Sequence, residues 1–133
     1  LAINASGQVA GFSSTTGNTS VHATLWNGTT ATDLGSLGWI GSAASAINAS
    51  GQVAGYSYTA GNATHATLWN GTTATDLGSP LGGTNSYAYA INASGQVAGL
   101  SETAGNATVH ATLWNGTTAT DLGTLGGGGG HSA

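Results

Sequence analysis

Apolar residues are sparse along this chain, and they return at fixed places. AINASGQVAG occupies Ala2–Gly11, Ala46–Gly55 and Ala90–Gly99; HATLWNGTTATDLG occupies His22–Gly35, His65–Gly78 and His110–Gly123. Ile3, Ile47 and Ile91 are 44 residues apart, and Trp26, Trp69 and Trp114 are 43 and 45 apart. A fixed period of this length marks an internal repeat and outranks every local signal. The repeats run approximately 1–44, 45–88 and 89–133 and make one repeat domain. Length differences between copies fall in SSTTGNTSV, SYTAGNAT and SETAGNATV, and in SLGWIGSAAS, SPLGGTNSYAY and TLGGGGGHSA. These read as the loops, because loops absorb insertions.

Within each repeat the pattern predicts four short antiparallel strands. HATLW and TTATDLG flank Asn27-Gly28, Asn70-Gly71 and Asn115-Gly116. Asn-Gly between β-like runs is a strong hairpin signal, since both central residues of a type I′ turn need positive φ. A second hairpin joins SAxAIN to QVAGYS through Ala-Ser-Gly, with Gly7, Gly51 and Gly95 available for the left-handed position. No stretch shows helical periodicity, and the β-branched Thr and Val disfavour helix. On this reading Gly71 sits in a two-residue turn and Gly83 in a length-variable loop, so Val should be tolerated worse at 71 than at 83. The expected fold class is all-β, with three tandem four-stranded antiparallel repeats of about 44 residues that are β-propeller-blade-like. A β-solenoid is the alternative, and two tight hairpins per repeat count against it.

The ends join as the repeats do. The C-terminus followed by the N-terminus reads LGGGGGHSALAINAS, against LGGTNSYAYAINAS at the middle junction. The 133 residues therefore read as three whole periods cut inside a strand. The expectation is a processed product or a segment of a longer array, in which Leu1–Asn4 forms a strand only if residues such as His131–Ala133 extend it.

Charge narrows the partners. There is no Lys or Arg, and the four acids Asp33, Asp76, Glu102 and Asp121 give a formal net charge of −4. Without a cation nothing neutralises phosphate, so nucleic acid is excluded as a partner, and anionic membrane surfaces are disfavoured. No apolar run approaches the roughly 18 residues of a membrane span, so no membrane insertion is expected. With no Cys there is neither a disulfide nor a thiolate site. Leu, Ile, Val and Phe total 21 of 133 residues, under the roughly 20% that flags disorder. Disordered chains, however, combine low hydrophobicity with high net charge. The low charge and the fixed apolar positions point to a folded chain.

Few residues suggest chemistry. His22, His65 and His110 recur once per repeat, as a symmetric imidazole set for a metal or as strand residues satisfying nearby backbone; the second reading is preferred, and no metal or cofactor is expected. Asp33, Asp76 and Asp121 recur in TDLG, where a carboxylate before Leu-Gly anchors a turn. A glycosidase needs two carboxylates roughly 5–10 Å apart in different environments, which one equivalent Asp per repeat does not supply. Trp26, Trp69 and Trp114 are either core between sheets or stacking platforms for sugar rings. Trp39, Tyr58 and Tyr87 are not common to all repeats and join them as candidate glycan contacts. Of nine Asn-x-Ser/Thr sequons, six fall in repeated turns; Asn18, Asn62 and Asn106, in the variable loops, are the candidate glycosylation sites.

HATLWNGTTATDLGTLGG, with SYAYAINASGQ and QVAGYS, resembles the bacterial extracellular HAF repeat along essentially the whole chain. Thr24, Thr67 and Thr112 stand where that family has Phe. The resemblance implies export and a propeller-like repeat, with no defined chemistry. The function expected is that of a non-catalytic extracellular or cell-surface repeat protein. It would associate with itself, head to tail or in a ring, as an array, fibre or oligomeric propeller. The alternative is a lectin-like propeller that binds carbohydrate.

Overall fold

The computed structural model describes residues 1–14, 20–36, 41–59, 63–78, 80–106, 108–116 and 118–123, leaving aside the side chain of Asn106. The chain is all-β. Its strands form three four-stranded antiparallel sheets in sequence order. The first sheet holds β1 (Ala2–Ile3), β2 (Val9–Ser14), β3 (Val21–Asn27) and β4 (Thr30–Gly35). In the second are β5 (Ser42–Ile47), β6 (Val53–Tyr58), β7 (Thr64–Asn70) and β8 (Thr73–Gly78). The third comprises β9 (Gly82–Ile91), β10 (Val97–Thr103), β11 (Val109–Asn115) and β12 (Thr118–Gly123). A 3-10 turn at Ala104–Asn106 is the one helical element among the described residues. Every ladder between these strands is antiparallel, as hairpins require and stacked parallel coils do not. The second and third sheets begin at Ser42 and Gly82, a few residues before the sequence periods that start at 45 and 89.

The Asn-Gly hairpins form one residue out of the expected register. Asn27 pairs with Thr30, Asn70 with Thr73 and Asn115 with Thr118, so the two-residue loop starts at Gly rather than at Asn. Gly28, Gly71 and Gly116 take φ of 65°, 65° and 64° at the first central position. Glycine supplies there the positive φ that the first central residue of a two-residue hairpin loop needs. The other hairpin forms as expected, with Gly7, Gly51 and Gly95 at φ of 83°, 82° and 83°.

That second loop is built around one asparagine. Asn48 Oδ1 accepts the Ser50 and Gln52 N–H groups at 3.1 and 2.9 Å. Its amide donates to Gln52 Oε1 at 2.8 Å and to the Asn92 carbonyl in the next sheet at 3.0 Å. Asn4 repeats the arrangement and donates to the Asn48 carbonyl at 3.0 Å. The loops thus stack in a ladder whose rungs are spaced by one repeat.

Because side chains alternate along a strand, each sheet has two different faces. The first sheet offers Ala10, Ala23 and Leu34 to Ala44, Val53 and Trp69 of the second. The second offers Ala54, Ala66 and Leu77 to Ala88, Val97 and Trp114 of the third. One face is small and the other large, so each tryptophan lies against alanines and is fully buried. The first strand of each following sheet lies across the inner strands of the one before, while β4 and β8 barely touch. Neighbouring sheets are therefore close at their first strands and apart at their fourth.

Gly83 corrects the sequence reading. It lies inside β9, where a Cβ would collide with the Glu102 backbone of β10, whereas Gly71 has open space around it. Ala at 71 meets only left-handed strain of about 1–2 kcal/mol. Gly83→Ala should therefore lower the melting temperature more than Gly71→Ala, and thermal unfolding of the two variants ranks them.

Candidate functional site

The chemistry-bearing residues gather at one structural feature, a bulge between the third and fourth strands of each sheet. In the first sheet Ala23 pairs with Gly35 and Thr24 with Asp33, leaving Leu34 unpaired. The same shift recurs at Leu77 and Leu122. Leu34 and Leu77 point, by strand alternation, to the face that meets the next sheet, and Leu122 has the equivalent place on the third sheet. Gly35, Gly78 and Gly123 close the bulge at φ of 74°, 72° and 77°.

The aspartate holds the bulge closed. Asp33 Oδ1 accepts the Gly35 N–H at 2.8 Å, the turn-anchoring role expected of TDLG. His22 Nδ1 lies 2.8 Å from Asp33 Oδ1 and 3.0 Å from Oδ2. His65 and Asp76 pair at 2.9 and 3.1 Å, and His110 and Asp121 at 2.9 and 3.0 Å. The histidines thus bond carboxylates, not the backbone groups expected of them. An ionised carboxylate only accepts, so Nδ1 carries the proton. The sequence contains this pairing: counting back from the expected Asn27-Gly28 loop sets Asp33 opposite His22, and the observed register sets it opposite Thr24 and diagonal to His22 on the same face.

Three pairs in three sheets do not converge. Among the described residues no group of three His, Cys, Asp or Glu is arranged to hold a metal. Ser13, Ser57 and Ser101 stand opposite the histidines in register. Ser57 Oγ and Ser101 Oγ are buried without a hydrogen-bond partner, so neither is coupled to its histidine.

The bulge also frees two backbone groups, which the next sheet satisfies. Ser42 Oγ accepts the Ala23 N–H at 2.8 Å and donates to the Gly35 carbonyl at 2.6 Å. Ser86 does the same for Ala66 and Gly78. Each serine is buried and staples one sheet to the previous one. The carbonyl of Leu77 accepts Trp114 Nε1–H at 3.1 Å, while Trp69 Nε1 is buried without a partner.

The candidate aromatic residues separate into two groups. Trp69 and Trp114 lie in the two cores with 0% exposure, closed to any ligand in this arrangement. Trp26 is half-buried on the outer face of the first sheet. Tyr58 and Tyr87 enter a cluster with Tyr56 and Tyr89, at ring-centroid separations of 6.4 Å for Tyr56–Tyr58, 5.6 Å for Tyr56–Tyr87 and 6.3 Å for Tyr87–Tyr89. Burial and neighbouring ionisable groups push the Tyr56 and Tyr87 hydroxyls above their ordinary range. Beside this cluster Phe12, Val21, Ala43, Tyr56 and Tyr58 line a groove of about 290 Å³. Trp39, Asn18 and Asn62 lie outside the described residues, as does the side chain of Asn106.

The remaining feature is a pair of open faces. At the outer face of the first sheet Ile3 is 69% exposed, and Val9 and Trp26 are half-buried, where Val53, Val97, Trp69 and Trp114 are buried. On the outer face of the third sheet Leu122 is 57% exposed, whereas Leu34 and Leu77 are 3% and 6%. Ala98 is exposed too, although Ala10 and Ala54 are at 0%. Identical residues thus differ in burial because one neighbour is missing.

Compared with profiles of known protein families and with curated proteins, the sequence matches none.

The bulge clamp predicts an acid response. At Asp33 burial works against the charged form, but the bonds from His22 and the Gly35 N–H outweigh it and hold the carboxyl below its ordinary value. At Asp121 the Gly123 N–H is the largest influence, followed by His110, again downward. A carboxyl lowered on folding stabilises above its unfolded value, about 4, and that contribution is lost as pH falls through the folded value. An Asp33→Asn/Asp121→Asn double variant should melt below the parent near neutral pH, with the gap narrowing below about pH 4. Thermal melts across that range check both parts; the effect is modest, because both carboxylates are largely exposed.

Proposed function

We propose that this chain is a non-catalytic, extracellular structural repeat module of the HAF-repeat kind, whose sheets act as blades that continue from one module into the next. The observation that carries the reading is the pair of open faces. Each presents the residues that form one half of an interface occurring twice inside the chain. Sheets close at their first strands and apart at their fourth suit a blade arrangement. Three blades fall short of the roughly four to eight of a closed propeller, and two modules supply six. If the rotation closes, the product is an oligomeric propeller; if it does not, an array or fibre. The absence of Lys, Arg and Cys fits a surface role free of phosphate, anionic-membrane and thiol chemistry. Light scattering and electron microscopy of the purified chain should give particles of two or more chains, as rings or filaments. A single chain's mass at high concentration overturns the reading.

The tyrosine cluster favours a second reading, binding of a neutral glycan. Tyr58 and Tyr89 are 42% and 52% exposed beside an uncharged groove, and amphipathic rings of this kind suit a ligand with apolar faces and hydroxyl edges. On an array of neutral oligosaccharides the parent should bind and Tyr58→Ala should not. An array with no bound saccharide removes this reading and leaves the first intact.

A further inference from the structure

We infer that the Leu122 face of one copy docks on the Ile3–Trp26 face of a second copy, in the orientation that the first sheet holds toward the second. The inference rests on the assembly reading and adds its polarity and its contacts. The template is internal and occurs twice. In each interface a bulge leucine, Leu34 or Leu77, enters a cluster with the tryptophan and the strand-four alanine of the next sheet, Trp69 and Ala74 or Trp114 and Ala119. The equivalents on the open faces are Leu122 on one side, and Trp26 and Ala31 on the other. A cavity of about 460 Å³ stands beside Ala31, walled also by Thr24, His22 and Asp33. Leu122 is the side chain the template sets there.

Polar groups fix the direction. The indole bond forms at one of the two internal interfaces, where Trp114 Nε1–H donates to the Leu77 carbonyl while Trp69 Nε1 has no partner. On that pattern Trp26 Nε1–H of the second copy meets the Leu122 carbonyl of the first. Asn4 and Asn48 each donate to the asparagine carbonyl one repeat later. Asn92 is the exposed end of that ladder and would donate to Asn4 of the second copy. A symmetric pairing satisfies neither. Two Leu122 faces together leave the Asn92 amides without their carbonyls, and two Trp26 faces leave both indole N–H groups without an acceptor. The contact is therefore heterologous and can be continued.

The test uses one block per face. Ile3→Asp charges one face and Leu122→Asp the other, both at exposed side chains, with circular dichroism confirming that the sheets persist. Each variant alone should run as one chain in light scattering, while the parent assembles. Mixed in equal amounts they should give a two-chain species and nothing larger, because the one free face of each fits the other. Assembly of Leu122→Asp alone, or a mixture that stays at one chain, overturns the inference. If a variant unfolds, Ile3→Lys and Leu122→Lys repeat the experiment under the same criteria. A parent that never exceeds one chain defeats the assembly reading itself, whereas variants that assemble like the parent defeat only this interface.

Discussion

One extra residue per hairpin governs how these sheets meet. A regular ladder between β3 and β4 would carry Leu34 as an ordinary strand residue, opposite Ala23. The bulge instead removes it from the register and pairs Ala23 with Gly35. Two consequences follow from that one backbone event. The leucine carbonyl is available to an indole N–H in the following sheet, as at Leu77, and an N–H and a C=O lose their ladder partners. Left unpaired in a buried setting, each such group costs about 1–3 kcal/mol. The serine hydroxyl of the following sheet satisfies both at once, so the local irregularity binds two sheets together. The His–Asp pair serves the same feature, since the aspartate that anchors the glycine N–H is itself held by the imidazole.

The interfaces have little bulk to work with. Ala10, Ala23, Ala54 and Ala66 leave almost no side chain on one face, which lets the backbone of one sheet approach the large residues of the next. Close packing then falls to one buried tryptophan, valine and leucine per interface, with a half-buried leucine and isoleucine against them, and polar links carry the alignment. The asparagine ladder serves that end. Asn48 uses both amide hydrogens, one inside its own loop and one across to Asn92, which fixes the spacing of consecutive loops. A glycan on that nitrogen would remove one of the two bonds, so the sequon at Asn48 is structural in this fold.

Much of the architecture is legible from the repeat alone. Two hairpins per period, one at Asn-Gly and one at Ala-Ser-Gly, specify four antiparallel strands without any knowledge of what they pack against. Register was less legible. Asn-Gly admits two positions for a two-residue loop, and the choice with Gly at the first central position follows from the ladder, not from the dipeptide. The bulge hides for a similar reason: TDLG reads as an even alternation until Gly78 takes positive φ. Gly83 misled because glycine next to a variable segment signals a loop, while here it marks close approach of two backbones. The His–Asp pairing was within reach, since it follows from counting outward from the turn. Ser42 and Ser86 were not, because a hydroxyl that bridges sheets carries no local signature. Tyr56, Tyr58, Tyr87 and Tyr89 come from two sheets, so only the packing joins them.

Burial here is a property of position in the stack, not of local sequence. Ala10, Ala54 and Ala98 have the same neighbours in sequence, yet the first two are sealed and the third is open. Stability in such a stack is approximately a sum of repeat and interface terms, so the terminal sheets carry one interface each and the middle sheet two. Covering Ile3, Trp26 and Leu122 would contribute about 1.5–3 kcal/mol for each large side chain. Association of separate chains costs about 4–15 kcal/mol in lost freedom. One such face would therefore join free chains in a concentration-dependent way, and would join repeats of a single polypeptide far more firmly, since a tether removes most of that cost. Soluble sheets commonly protect such surfaces with lysine or other charges. These two faces have no Lys or Arg, and Asp33, in the wall of the cavity beside Ala31, is held by His22.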